Sequence, residues 1–129
     1  MNVLLDTDEI SQVIAAAGKP ILIPGPTGCG KTQIFASLPT RLSGWLETFP
    51  VNSRKILIIA HREELIDQAA ARIQQLNPGL MVSVEQGDRH ANRYSDVVIA
   101  SIQTLSARKG VRLDRLLKHV VFRVVVYDE

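Results

Sequence analysis

The six-residue run KILIIA, from Lys55 to Ala60, restricts the fold of this chain more than any other segment. Every position after Lys55 is apolar, several side chains are β-branched, and the run is too short for a helix, so it predicts a strand. Because successive positions are apolar, both faces of this strand must be covered, which is typical of strands in parallel sheets.

Strand-like and helical patterns alternate along the rest of the chain. Further strands are predicted at residues 21–23, 81–84, 96–100 and 122–127. Helices are predicted at residues 8–17, 31–38, 41–49, 63–76, 103–107 and 113–119. Strands separated by helical crossovers predict an α/β fold, a three-layer α/β/α sandwich around a mostly parallel sheet.

The composition is that of one globular domain, with 46% apolar and 22% charged residues among 129. It excludes a disordered tail or a collagen-like repeat. No apolar run approaches the roughly 20 residues that cross a bilayer, and Asp6 precedes any signal-peptide core. The single cysteine, Cys29, excludes a disulfide framework and suits a reducing compartment. We therefore expect a cytoplasmic protein with no membrane partner.

A glycine-rich segment, GPTGCGKT, fits the pattern G-x-x-x-x-G-K-[ST] between a predicted strand and a predicted helix. Its residues are Gly25, Pro26, Thr27, Gly28, Cys29, Gly30, Lys31 and Thr32. The glycines let backbone N–H groups approach phosphates, and the helix N-terminus adds partial positive charge. Lys31 is suited to the β- and γ-phosphates of ATP, and Thr32 offers a hydroxyl to Mg²⁺. For Cys29, a small residue that fits the loop is favoured over a redox role.

Two acidic residues, Asp128 and Glu129, follow the last predicted strand. Ligands of open α/β folds bind at the carboxyl ends of the strands. Asp128 is suited to hold Mg²⁺ opposite Thr32, and Glu129 to orient and deprotonate an attacking water. Since a phosphate-binding loop precedes this pair, catalysis by Lys31, Asp128 and Glu129 is favoured over a solvated strand exit.

Four segments in order resemble the N-terminal RecA-like domain of superfamily-two helicases, in the DEAD/DEAH-box branch that includes type III restriction enzymes. Residues 26–32 resemble motif I, and IAHREEL at 59–65 with Gln68 resembles motif Ia. VVIASIQTL at 97–105 is similar to the strand-then-threonine segment, and VVVYDE at 124–129 resembles motif II. The resemblance implies a partial RecA-like P-loop NTPase domain at 20–129, after a helical lead-in at 1–19.

The resemblance implies ATP hydrolysis coupled to movement along DNA or RNA. Two strand exits carry groups suited to bind successive backbone phosphates of a nucleic-acid strand. Such binding does not depend on the base sequence. The candidate residues are His61, Arg62, Ser101, Gln103 and Thr104. Other roles stay open: packing for His61, a surface ion pair or cap for Arg62, and a helix cap for Thr104.

The sequence stops directly after motif II, which makes us expect a truncated product. Motif III, the second RecA-like domain and its arginine finger are absent from it. In the family the motif III strand lies between the strand before the phosphate-binding loop and the strand that carries motif II. We therefore expect a sheet in which the strand between these two is missing. We also expect the isolated chain to bind Mg·ATP weakly and to hydrolyse it negligibly. The alternatives are another P-loop ATPase, of the secretion type, or a nucleotide-binding remnant without turnover.

Positive charge is concentrated in residues 89–123, where eight arginines and lysines face two aspartates. Such a stretch is either a solvated face or the electrostatic footprint of a polyanion. Charge alone does not distinguish the two.

Overall fold

One parallel sheet of five strands organises the described part of the chain. The computed structural model describes residues 21–25, 39–60, 63–119 and 121–128. The strands are β1 (Ile21–Gly25), β2 (Lys55–Ala60), β3 (Val82–Glu85), β4 (Val97–Ser101) and β5 (Phe122–Asp128). Their order is β1-β5-β2-β4-β3, and every pairing is parallel. The predicted parallel sheet is confirmed.

Four helices with described bounds accompany the sheet, and residues 39–41 are also helical. The four are α1 (Ser43–Leu46), α2 (Ile66–Leu76), α3 (Ile102–Ser106) and α4 (Val111–His119). Short 3-10 segments precede β2 and α2 and link α3 to α4. Each of the four α-helices lies within a predicted helix or begins at most two residues before one. Helix α1 is shorter than the helix predicted at 41–49. The helices predicted at 8–17 and 31–38 lie outside the described residues.

The core has two apolar layers, one on each face of the sheet. The layer beneath α3 and α4 takes six strand residues, which alternate in β2 and β4, namely Leu57, Ile59, Val98, Ala100, Phe122 and Val125. The layer beneath α1 and α2 takes the residues between them, namely Ile56, Ile58, Val97, Ile99, Val124 and Val126. All twelve are buried, which explains why β2 is apolar at successive positions. The α/β/α sandwich predicted from the sequence is therefore confirmed.

The expectation of a sheet without a central strand was wrong. β1 pairs directly with β5, in a register that runs from Ile21 opposite Val124 to Gly25 opposite Asp128. Direct pairing satisfies backbone N–H and C=O groups that a vacant strand position would leave without partners. The two strands that carry the predicted nucleotide site are thus neighbours in this sheet.

The connection between β3 and β4 contains no helix. Residues 86–96 turn back at Gly87, whose φ is +56°, and the pairing of Gln86 with Arg89 closes this turn. Further along, Ala91 packs against the core layer beneath α3 and α4. This loop therefore returns to the start of β4 over the same face as those two helices.

The turn between α3 and α4 has left-handed backbone at two residues with side chains. Arg108 has φ 52° and ψ 44°, and Lys109 has φ 59° and ψ 33°. This region is unfavourable by about 1–2 kcal/mol for a residue with a Cβ atom. Gly110, which follows with φ 81°, carries no such penalty.

Replacing Lys109 by glycine should raise the free energy of unfolding by up to about 1 kcal/mol, because relief of the left-handed backbone exceeds the added entropy of the unfolded chain. Urea denaturation measures the change. The matched control is Lys118→Gly in α4, which should lower stability by about 1 kcal/mol because glycine is a poor helix former. Equal losses from both substitutions would contradict the strain at Lys109.

Candidate functional site

The carboxyl ends of β1 and β5 lie side by side. Gly25, the last residue of β1, is the register partner of Asp128, the last residue of β5. Adjacent strands are about 4.8 Å apart. Because Gly25 also begins the glycine-rich segment, that segment leaves the sheet beside the strand that ends in an aspartate.

The nucleotide-site residues themselves are only partly described. Pro26, Thr27, Gly28, Cys29, Gly30, Lys31, Thr32 and Glu129 lie outside the described residues. For Gly25 and Asp128 the backbone is described and the side chain of Asp128 is not. The assignments of Lys31, Thr32, Asp128 and Glu129 to catalysis and to Mg²⁺ therefore stay predictions.

The predicted nucleic-acid residues form two groups, here called corners: His61 and Arg62 after β2, and Ser101, Gln103 and Thr104 after β4. The two corners start on neighbouring strands at the same edge of the sheet. Ala60, at the end of β2, is the register partner of Ser101, at the end of β4. His61 and Arg62 follow Ala60 directly and lie outside the described residues. Since β2 also pairs with β5, both corners start on the edge where Asp128 ends its strand.

Ser101 and Thr104 form the N-terminal cap of α3. The Oγ of Ser101 accepts a hydrogen bond from the Thr104 N–H at 3.0 Å. The same hydroxyl donates to Thr104 Oγ1 at 2.7 Å, and Thr104 Oγ1 also accepts from the Gly87 N–H at 3.2 Å. The pair thus satisfies a free helix N–H and ties α3 to the loop after β3.

The three predicted contact residues of this corner differ in exposure. Ser101 is completely buried and Thr104 is 8% exposed, whereas Gln103 lies on the surface. The hydroxyl of Ser101 is engaged inside the protein by its two bonds to Thr104. Direct contact of Ser101 with nucleic acid stays a prediction, and Gln103 has the accessible side chain.

A buried ion pair, which sequence reasoning did not anticipate, holds the loop after β3. Glu85 is 2% exposed, and its Oε2 accepts from Arg112 Nε at 2.5 Å. Its Oε1 accepts from the Ala91 N–H at 2.7 Å. Arg112 also donates to the carbonyls of Gly87 and Arg89. The guanidinium of Arg112 therefore fastens the loop at 87–91 to the first turn of α4.

Within the described ranges, no group of three His, Cys, Asp or Glu side chains could hold a metal ion. None of the helices described is long and apolar enough to cross a membrane.

Comparison with known proteins identifies relatives. The model of the family "Type III restriction enzyme, res subunit" matches residues 6–129. The Saccharomyces cerevisiae protein "Putative ATP-dependent helicase IRC3" is 40% identical over 102 residues, which are 78% of this chain and 15% of that protein. The Schizosaccharomyces pombe protein "Putative mitochondrial ATP-dependent helicase irc3" is 30% identical over 105 residues, 80% of this chain and 16% of that protein.

These matches agree with the four segments that resemble helicase motifs. Both relatives are named ATP-dependent helicases, so the secretion-type alternative is not favoured. The family match extends through every described strand, and the parallel α/β/α architecture is the one that the resemblance implies. The chain belongs to the type III restriction enzyme res subunit family, as the N-terminal RecA-like domain of a superfamily-two helicase.

Proposed function

We propose that this chain is the ATP-binding motor domain of a helicase or translocase that couples ATP hydrolysis to movement along DNA or RNA. The observation that carries the proposal is the register of β1 and β5, in which Gly25 lies opposite Asp128. The names of the two relatives support ATP and nucleic acid as ligands. Because the chain spans only 15% and 16% of their lengths, the activity of a whole protein is part of the proposal.

In the nucleotide site, the backbone N–H groups of Gly25 and of residues 27–32 bind the phosphates of ATP, since Pro26 has no N–H. Lys31 supplies a positive charge to the β- and γ-phosphates. Thr32 and Asp128 are oxygen ligands of the kind that Mg²⁺ prefers. They would hold this ion, which would supply positive charge to the phosphates. Glu129 orients the attacking water and takes up its proton.

The nucleic-acid site lies at the ends of β2 and β4. His61, Arg62 and Gln103 contact the phosphate backbone without reading sequence. Ser101 and Thr104 contribute to this corner through the cap, which fixes the position of Gln103 two residues after the end of β4. Support comes from the register of Ala60 with Ser101, which starts both corners on adjacent strands.

The motor also requires a second RecA-like domain as its partner. Closure of two such domains around ATP positions the phosphates and excludes water. For the 129 residues alone, we expect weak Mg·ATP binding and negligible turnover. The single cysteine favours a reducing compartment such as the cytoplasm, while the S. pombe relative is named mitochondrial.

Single-stranded DNA or RNA should stimulate ATP hydrolysis by a protein in which this chain is followed by a second RecA-like domain of the family. Glu129→Gln should lower that rate by about 10²–10⁴-fold, the usual contribution of a general base. Release of inorganic phosphate measures both effects, and Glu64→Gln on the surface serves as the control.

Two results would point elsewhere. Hydrolysis that is indifferent to both DNA and RNA would end the helicase proposal. Stabilisation of the two-domain protein by ATP without any hydrolysis would indicate a nucleotide-binding module that lacks turnover.

A further inference from the structure

A basic cavity lies beside α3, next to the predicted nucleic-acid corner. Its volume is about 440 Å³. Gln103 and Thr104 line one side, and the turn after α3, the start of α4 and the loop after β3 line the rest. The lining contains no acidic residue, and its basic side chains are His90, Arg108, Arg112 and Arg115. The cavity is thus a concave surface with one sign of charge.

Two of the three arginines have no acidic partner within the described part of the chain. Arg112 is neutralised by the buried carboxylate of Glu85. Among the described residues, Arg108 and Arg115 form no ion pair with any acidic side chain. Two guanidinium groups facing one cavity repel each other, and an anion bound between them would remove that repulsion.

The cavity is separate from the predicted nucleotide site. In the sheet order, β5 and β2 lie between β1 and β4. At about 4.8 Å per strand, the exit of β4 is about 14 Å from the exit of β1. The phosphates of an ATP molecule on the glycine-rich loop are therefore not the anion that this cavity fits.

The groups that line the cavity are suited to phosphate. Guanidinium groups match the geometry of phosphate oxygens and can donate two parallel hydrogen bonds. Thr104 Oγ1 accepts from Ser101 and from Gly87, and its own proton has no acceptor among the described residues. That proton is available to a phosphate oxygen at the wall of the cavity.

The left-handed turn supports a ligand at this place. Arg108 lies in the cavity wall with φ 52°, a conformation that glycine adopts more readily. Strained backbone of this kind is found at ligand-binding positions, where the side chain is needed.

We propose that this cavity binds a backbone phosphate of single-stranded nucleic acid, with Arg108 and Arg115 as its cations. The inference rests on the proposed function, because continuity with Gln103 and Thr104 selects a nucleic-acid strand over free phosphate. Binding of this polyanion would account for part of the positive charge of residues 89–123.

The test is fluorescence anisotropy of labelled oligothymidylate and oligouridylate with the 129-residue chain. Each phosphate contact on a single strand contributes about 0.7 to the slope of log K against log salt, which is about 5-fold in affinity at 0.1 M relative to 1 M salt. Because the two arginines share one phosphate, Arg108→Gln and Arg115→Gln should each weaken binding by up to about 5-fold. The double variant should weaken it by about 5-fold, with a slope shallower by about 0.7. Lys118→Gln removes a charge from α4 outside the cavity and should leave affinity near that of the parent.

A second variant separates binding from folding. Arg108→Gly should raise thermal stability, because the left-handed backbone is relieved, and should still weaken binding by up to about 5-fold. Parent-like binding by the double arginine variant would overturn the inference while leaving the proposed function intact. A variant that loses affinity for inorganic phosphate but not for oligonucleotides would also overturn it. A parent chain that binds no single strand would refute the nucleic-acid part of both proposals.

Discussion

Replacing Glu85 by alanine is expected to lower the free energy of unfolding by about 3 kcal/mol. Removing one member of a buried ion pair leaves the other charge uncompensated, which is destabilising by about 3–5 kcal/mol. The lower end applies because the side chain of Arg112 retains 18% exposure and can be partly solvated. The substitution also leaves the Ala91 N–H without its acceptor at 2.7 Å. Urea denaturation followed by circular dichroism measures the loss.

The control for this prediction is Glu64→Ala, at an exposed residue. Its effect should stay within about 0.5 kcal/mol, as for most surface substitutions. Adding Arg112→Met to Glu85→Ala should restore part of the stability, because the uncompensated guanidinium is removed. A loss below about 1 kcal/mol in the single variant would show that the pair contributes little.

Loss of this ion pair should also affect the predicted nucleic-acid corner at the end of β4. Arg112 donates to the carbonyls of Gly87 and Arg89, while the Gly87 N–H donates to Thr104 Oγ1. The Glu85–Arg112 pair, the loop and the cap of α3 therefore form one connected network. Such networks have coupled energies, so a change at Glu85 is expected to alter the position of Thr104 as well as overall stability.

The sequence predicted the sheet well because buried parallel strands have a strong local pattern. The strand predicted at Lys55–Ala60 has the same bounds in the structure, since its apolar positions alternate between two core layers. The order of strands depends instead on which backbone edges meet. We expected a missing strand between β1 and β5, but these two strands pair directly. No local sequence pattern specifies such a long-range pairing.

The candidate site was predictable as a set of strand exits, but less so as individual contacts. The ends of β2 and β4 lie side by side as expected. The burial of Ser101, in contrast, depends on the neighbouring loop and α3. Glu85 and Arg112 are 27 residues apart, so their pairing has no periodic signal. The left-handed backbone at Arg108 could not be predicted from the sequence either, because arginine has no local preference for that conformation.

Replacing Lys31 by alanine should abolish the stabilisation of this chain by Mg·ATP. At an ATP concentration ten times the dissociation constant, a ligand that binds only the folded state stabilises it by about 1.4 kcal/mol. For a domain of this size that corresponds to a rise of about 5 °C in Tm. Without the lysine, the β- and γ-phosphates lose the positive charge that the protein supplies to them, while the folded chain itself is little affected. Thermal unfolding with and without Mg·ATP measures the difference.

Lys118→Ala is the matched control, because it removes a lysine from the exposed face of α4 and should keep the full rise in Tm. A rise in Tm that Lys31→Ala leaves unchanged would mean that ATP binds elsewhere, and the register of Gly25 with Asp128 would then lose its functional meaning. Loss of the rise in the Lys31 variant alone would assign the nucleotide to the loop that follows β1. The basic cavity beside α3, about three strand spacings away, would then remain free for the nucleic-acid strand.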